Sequence, residues 1–200
     1  MPLPIRTKNW YRFGEPEREV YPMYRIRKSI DVDFAHHVRG HRGPCINIHG
    51  HTWKFEVLLE SDALDADGFV IDFKELKQRV LKPCHDLLDH GLAIGPETFD
   101  EVKEDLARLG ADLVASREKV HGSPMPTAET PMSLAGAVAH YPGGIKVIVF
   151  PFAPTSELLA SWLWQAASDG LATVAPQVRV AAARVYETLH PVEAVAEYTP

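Results

Sequence analysis

The sequence is poor in several features that would each mark a class of protein. Only two of its 200 residues are cysteines, Cys45 and Cys84. Two are too few to staple a small secreted scaffold, and in a reducing compartment both stay thiols. Positive charge is in deficit: 21 Lys and Arg face 27 Asp and Glu, for a formal net charge of −6. No broad basic field gathers a polyanion, so nucleic acid is not an expected partner. Long apolar runs are missing as well. Stretches such as Val147–Phe150 fall far short of the roughly 20 residues of a membrane-crossing helix, and the opening MPLPIRTKNWYRFG has no apolar signal core. A cytoplasmic protein with no membrane partner is expected. The 46% hydrophobic and 24% charged content fits one folded domain carrying an insertion. Histidine is in surplus: there are ten, and imidazole is the commonest metal ligand and the usual proton carrier near neutral pH.

Along the chain, residues 1–24 mix Pro, aromatic and charged side chains without a period and read as an N-terminal arm. From Arg25 the pattern alternates, with Ile26, Ile30, Val32, Phe34 and His36 sharing one parity, as in a strand with one face on a core. A loop holding Gly40, Gly43 and Pro44 leads to a second alternating stretch, in which His49, His51, Trp53, Phe55, Val57 and Leu59 fall together. Asp72 can cap a helix running to about His90, kinked at Pro83. Residues 91–144 read as an insertion with a charged helical stretch from Phe99 to Lys119. The run Ile145–Phe152, a helical segment from Ser156 to Ser168 and an alternating stretch from Gln177 to Thr188 follow, and 190–200 read as a tail. The single domain is therefore expected to span 25–189, as an α+β fold with helices on one face of an antiparallel sheet.

The strongest local signal is His49-Gly50-His51, because residues two apart on a strand point the same way and can reach one ion. His36 ends the preceding strand on its inward face, and the 12-residue connection lets the two strands lie side by side. Three imidazoles on neighbouring strands suit a zinc with three protein ligands and one open position. His37 and His41 compete for the third place; strand parity favours His36. Cys45 lies in the loop four residues before His49. It is either a fourth ligand, which closes the shell of a structural zinc, or a free thiol beside a cation, available as nucleophile or proton carrier. Asp89-His90 sets a carboxylate beside an imidazole at a helix end, an arrangement that orients the ring and tunes its basicity.

Taken in order, Ala35-His36, His41, Cys45, His49-Gly50-His51, Gly68-Phe69-Val70-Ile71-Asp72-Phe73, Leu88-Asp89-His90, Pro154-Thr155-Ser156-Glu157 and Glu187-Thr188 resemble the 6-pyruvoyltetrahydropterin synthase / 6-carboxytetrahydropterin synthase family. The resemblance implies a tunnelling fold (T-fold): a four-stranded antiparallel sheet with two helices on one face. It also implies subunits joined as trimeric barrels stacked into a homohexamer, with active sites between subunits. It makes His36, His49 and His51 the ligands of one Zn2+ per subunit, Cys45 the catalytic thiol, and Asp89 and His90 its proton-relay partners. Glu187 becomes the carboxylate that anchors the pterin ring, with Thr155 and Glu157 lining the pterin pocket. The activity implied is a lyase reaction on 7,8-dihydroneopterin triphosphate, giving 6-carboxy-5,6,7,8-tetrahydropterin with loss of acetaldehyde and triphosphate. The alternative product is 6-pyruvoyltetrahydropterin.

Three features depart from that pattern. Ile46-Asn47-Ile48 replaces the Gly-Arg-Leu common in the family, the insertion is long, and Pro126-Thr127-Ala128-Glu129 repeats the Pro-Thr-small-Glu motif inside it. Two other classes compete. A cupin-type metal enzyme is suggested by Gly43, His49, His51 and Glu56, although Glu56 has the wrong strand parity and no second motif follows. A zinc-stabilised, non-enzymatic binding module is the other, with Cys45 closing the shell.

Overall fold

The computed structural model describes residues 23–121, 137–188, 190 and 193–200. Most of the expected arm and the second Pro-Thr-Ala-Glu motif lie outside them. The two alternating stretches form the long strands β1 (Tyr24–His36) and β2 (His49–Ser61), paired antiparallel in one unbroken register from Tyr24 opposite Ser61 to His36 opposite His49. The connection between them is tightened by a short turn at Pro44–Ile46 and tied by the Val38 N–H donating to the Cys45 carbonyl. Asp72 caps the first helix as its sequence context suggested, accepting from the backbone N–H groups of Lys74 and Glu75. That helix runs as α1 (Phe73–Leu76), a wide π turn over Lys77–Leu81, and α2 (Lys82–Leu88). Pro83 has no N–H to give to the preceding turn, and the chain meets this by widening, with the Lys82 N–H reaching Lys77 O. The expected kink is thus a π turn.

The remaining elements are β3 (Leu92–Ile94), α3 (Pro96–His121), β4 (Ala137–Tyr141), β5 (Ile145–Val149), α4 (Ser156–Leu171), β6 (Arg179–Thr188) and β7 (Ala194–Tyr198). They complete a seven-stranded sheet in the order β4-β5-β3-β1-β2-β6-β7. This corrects the expectation of a four-stranded antiparallel sheet. β3 lies parallel to both β1 and β5, so the sheet is mixed, and β7 adds an edge strand in the stretch read as a tail. A three-residue strand is too short to show a period, and β3 exists because its neighbours on both sides satisfy its backbone.

One face carries the main core. Val32, Phe34, Trp53, Phe55, Val57, Leu59, Ala183 and Val185 meet Leu76, Val80, Leu81 and Leu88 of the first helix and Leu159, Leu163 and Ala167 of α4. α4 approaches that helix so closely that a Cβ on Gly170 would lie 2.8 Å from Arg79 O. The opposite face is not bare throughout. Ile94, Val147 and Val149 point there and are covered by Phe99, Val102 and Leu106 of α3, so helices lie on both faces at the β4-β5-β3 end. Over β1, β2 and β6 the second face is charged instead. Arg25 and Arg179 pair with Glu60, and Arg184 pairs with Glu56 and Glu197.

Candidate metal centre and active site

Strand register builds the site. His36 lies directly opposite His49, and His51 opposite Phe34, so all three imidazoles leave the same face at the end of the β1–β2 ladder, against Trp53. β6 aligns Tyr186 with Lys54 of β2. The next residue, Glu187, sits where the β6–β7 register slips between Tyr186 and Thr188, and such an irregularity re-aims a side chain. One ligand atom each from His36, His49, His51 and Glu187 lies within 4.8 Å of the others.

The hydrogen bonds decide what these atoms can do. His36 Nδ1 lies 2.9 Å from Pro154 O, and His49 Nδ1 2.9 Å from Asn47 O. A carbonyl only accepts, so each Nδ1 carries the proton and each neutral ring presents a bare lone pair at Nε2. Those two Nε2 atoms are 3.3 Å apart. Glu187 Oε1 stands 3.5 Å from both His36 Nε2 and His51 Nε2, and His51 Nε2 is buried without a hydrogen-bond partner. Two bare imidazole acceptors, a carboxylate and an unpartnered imidazole nitrogen that converge on one point call for a cation. A tetrahedral ion with bonds of about 2.0–2.1 Å to imidazole holds its donors about 3.3–3.4 Å apart; the His36–His49, His36–Glu187 and His51–Glu187 separations, at 3.3, 3.5 and 3.5 Å, come close to this within a set that lies inside 4.8 Å. Burial pushes the imidazoles of His36 and His51 below their ordinary value; Glu187 opposes this in both, as does the Pro154 carbonyl bond in His36. The rings are thereby kept neutral, the form that binds metal.

The other candidates divide. His37 turns away to Thr98 Oγ1 at 3.2 Å, and His41 Nδ1 accepts from the Gly43 N–H; neither belongs to the converging group. Glu56 is held by Arg184 at 2.8 Å on the opposite face of the sheet, so the cupin pattern is not assembled. Cys45 is half-buried on the loop and also outside the group. Glu187, not the thiol, makes the fourth converging donor. Burial and then the charge of Glu187 push the thiol upward. Thr155 caps α4, accepting from the Leu158 N–H at 3.4 Å, and Glu157 is exposed in its first turn. The residue between them was not singled out from sequence: Ser156 Oγ donates to Glu187 Oε2 at 2.8 Å. Asp89 Oδ1 lies 3.1 Å from His90 Nδ1 at the end of α2, with the His90 side chain 82% exposed. Among the described residues this pair stands outside the histidine group.

The sequence profile of the 6-pyruvoyl tetrahydropterin synthase family matches residues 25–199. The chain belongs to that family. Among curated relatives, the 6-carboxy-5,6,7,8-tetrahydropterin synthase of Haemophilus influenzae is 33% identical over 108 residues, covering 52% of this chain and 73% of that protein. The enzyme of the same name from Bacillus subtilis is 30% identical over 90 residues, covering 42% of this chain and 59% of its own length. Among solved structures, an uncharacterized protein of Wolinella succinogenes superposes with a TM-score of 0.61 at 23% identity, covering 89% of this chain and 98% of that one. A 6-pyruvoyltetrahydropterin synthase of Plasmodium vivax gives 0.52 at 14% identity, covering 90% and 99%. At these identities the structural likenesses speak for the fold alone. Among the described residues no helix is long and apolar enough to cross a membrane.

Proposed function

We propose that this member of the family is a zinc-dependent lyase that converts 7,8-dihydroneopterin triphosphate to 6-carboxy-5,6,7,8-tetrahydropterin, releasing acetaldehyde and triphosphate. The observation that carries the reading is the convergence of His36, His49, His51 and Glu187 as acceptors around one point, in a chain whose curated relatives bear the name of that synthase. An N/O donor set at these separations suits zinc.

His36, His49 and His51 hold the metal, which when bound supplies a Lewis acid beside the side-chain oxygens of the pterin. The rearrangement also needs protons removed from carbons next to those oxygens. Cys45, on the loop that joins His36 to His49, is the group that takes one. Asp89 holds the His90 ring by its Nδ1, leaving Nε2 to carry a proton to or from the thiol. Glu187 borders the metal group through Oε1 and is fixed by Ser156 through Oε2. A carboxylate held in this way can accept the paired N–H groups of an amino-pyrimidine edge, which selects a pterin. Thr155 and Glu157 flank Ser156 on its turn and line the pterin pocket.

The position of Asp89 and His90 supports the assembly implied by the family resemblance, a homohexamer built as a dimer of trimers. An exposed imidazole outside its own chain's histidine group is suited to completing the site of a neighbouring subunit.

Product analysis tests the reading. The zinc-loaded protein incubated with 7,8-dihydroneopterin triphosphate should yield 6-carboxytetrahydropterin and acetaldehyde. Formation of 6-pyruvoyltetrahydropterin without acetaldehyde moves the assignment to the branch that only eliminates triphosphate, and no turnover by the metal-loaded protein overturns it.

A further inference from the structure

Lys146 lies on β5, two strands away from β1 and its histidine, yet its head group ends at the relay pair. Its Nζ donates to Asp89 O at 2.7 Å and to Asp86 O at 3.1 Å, the last carbonyls of α2. Burial pushes this ammonium below the ordinary lysine value, with Asp89 and Asp86 opposing. Sinking an ammonium costs free energy unless it is hydrogen-bonded. The carbonyls at a helix C-terminus carry the partial negative charge that repays this cost.

The turn so held is tight at every position. His90 has φ of +58°, a left-handed conformation that a residue with a Cβ adopts only when its surroundings impose it. Its N–H donates to Asp33 O at 2.7 Å, and the Gly91 N–H to Leu88 O at 2.8 Å. Gly91 has no space for a side chain: a Cβ there would lie 2.4 Å from Ile148 Cδ1 and 3.0 Å from Lys146 Cε. The lysine stem therefore packs on the turn while its head closes it.

We propose that Lys146 is a positioning residue for Asp89 and His90: by clamping the carbonyls of Asp86 and Asp89 it presents the carboxylate–imidazole pair in one orientation. This inference rests on the relay role proposed above for that pair. No substrate contact is assigned to Lys146.

The test is a double-mutant cycle on the metal-loaded enzyme. Lys146→Met keeps the stem on Gly91 and removes the donors; kcat should fall on the order of 10- to 100-fold, with KM and melting temperature little changed. Lys146→Arg should recover most of that loss. In a His90→Ala background, Lys146→Met should cost nothing further, because the two act through one group. An unchanged kcat in Lys146→Met, or an undiminished further loss in the His90→Ala background, overturns the inference. Hydrogen exchange at the His90 and Gly91 amides supplies a readout independent of turnover, and it should accelerate in Lys146→Met. Unchanged exchange there overturns the clamp even in a chain with no turnover, whereas absence of wild-type turnover overturns only the reading on which it rests.

Discussion

Ser156 Oγ donates to Glu187 Oε2 at 2.8 Å, across 31 residues of sequence, while the other carboxylate oxygen lies 3.5 Å from both His36 Nε2 and His51 Nε2. One carboxylate is thus shared between a helix terminus and the metal group. The same turn touches the group a second time, where Pro154 O accepts from His36 Nδ1. α4 therefore does two jobs: it packs the core through Leu159 and Leu163, and its first residues set the orientation of a donor.

Removing the hydroxyl should loosen that donor. Glu187 is the proposed anchor of the pterin ring, and a hydrogen bond to a charged group is worth about 1.5–3 kcal/mol, so Ser156→Ala is expected to raise KM for the pterin substrate on the order of 10-fold while zinc content stays unchanged. Ser156→Thr, which keeps the oxygen, should restore it. An unchanged KM in Ser156→Ala would show that Glu187 holds its place without help.

How much of this was legible in the sequence differs from residue to residue. The three histidines were, because parity along two strands is a local property and His36, His49 and His51 obey it. Glu187 as a fourth converging donor was not. Its place depends on how β6 registers against β2 and on an irregularity at one residue, both set by pairings far apart in sequence. β5 was legible as the apolar run from Ile145, but its place in the sheet hid for another reason. Val147, Ile148 and Val149 are all buried, alternately on α3 and on the main core, so the run shows no alternation, as is usual for strands covered on both faces. Ser156 carried no signal beyond its place in a motif, since any Ser or Thr near a helix start reads first as a cap.

Metal removal separates an enzyme from a zinc-dependent module. The core around Phe55, Leu59, Leu76 and Leu163 is fully buried, so the metal-free chain should keep its far-ultraviolet circular dichroism. Only the melting temperature should drop. Zinc at a hundredfold over its Kd stabilises by about 2.7 kcal/mol, which for a chain of this size is roughly 5–10 °C. Collapse of the spectrum on chelation would restore the module reading.

Burial holds His36 and His51 below the ordinary imidazole value, and the sign of the consequence follows. In the metal-free protein the folded state binds these protons less readily than the unfolded chain does. Stability is therefore full above the unfolded value, about pH 6.5, and is lost as pH falls through it toward the folded values. Melting temperatures between pH 7.5 and 5.5 should decline in the wild type and decline less in His51→Gln. Parallel curves would place the acid sensitivity elsewhere.

Cys45 stands outside the converging donors, so Cys45→Ala should abolish turnover while zinc content and melting temperature stay at wild-type levels. Elemental analysis alongside the activity assay checks both halves. Zinc lost together with activity would make the thiol a ligand.

Composite sites make a prediction that a single-chain site cannot. Asp89 and His90 lie at the end of α2, with the imidazole exposed and outside the histidine group of their own chain. If His90 serves the Cys45 of a neighbour, Cys45→Ala and His90→Ala each lose most of the activity alone, His90→Ala keeping a residual rate on the order of 10²–10⁴-fold below wild type, yet a mixed assembly contains some intact pairs. A Cys45 from one variant then faces a His90 from the other. In a closed ring with random mixing, about one interface in four carries both functional residues, so co-expressed variants should regain about a quarter of wild-type activity. Variants purified separately and mixed without dissociation should regain none. A co-expressed mixture that stays inactive while assembling normally would place thiol and imidazole in the same subunit's site.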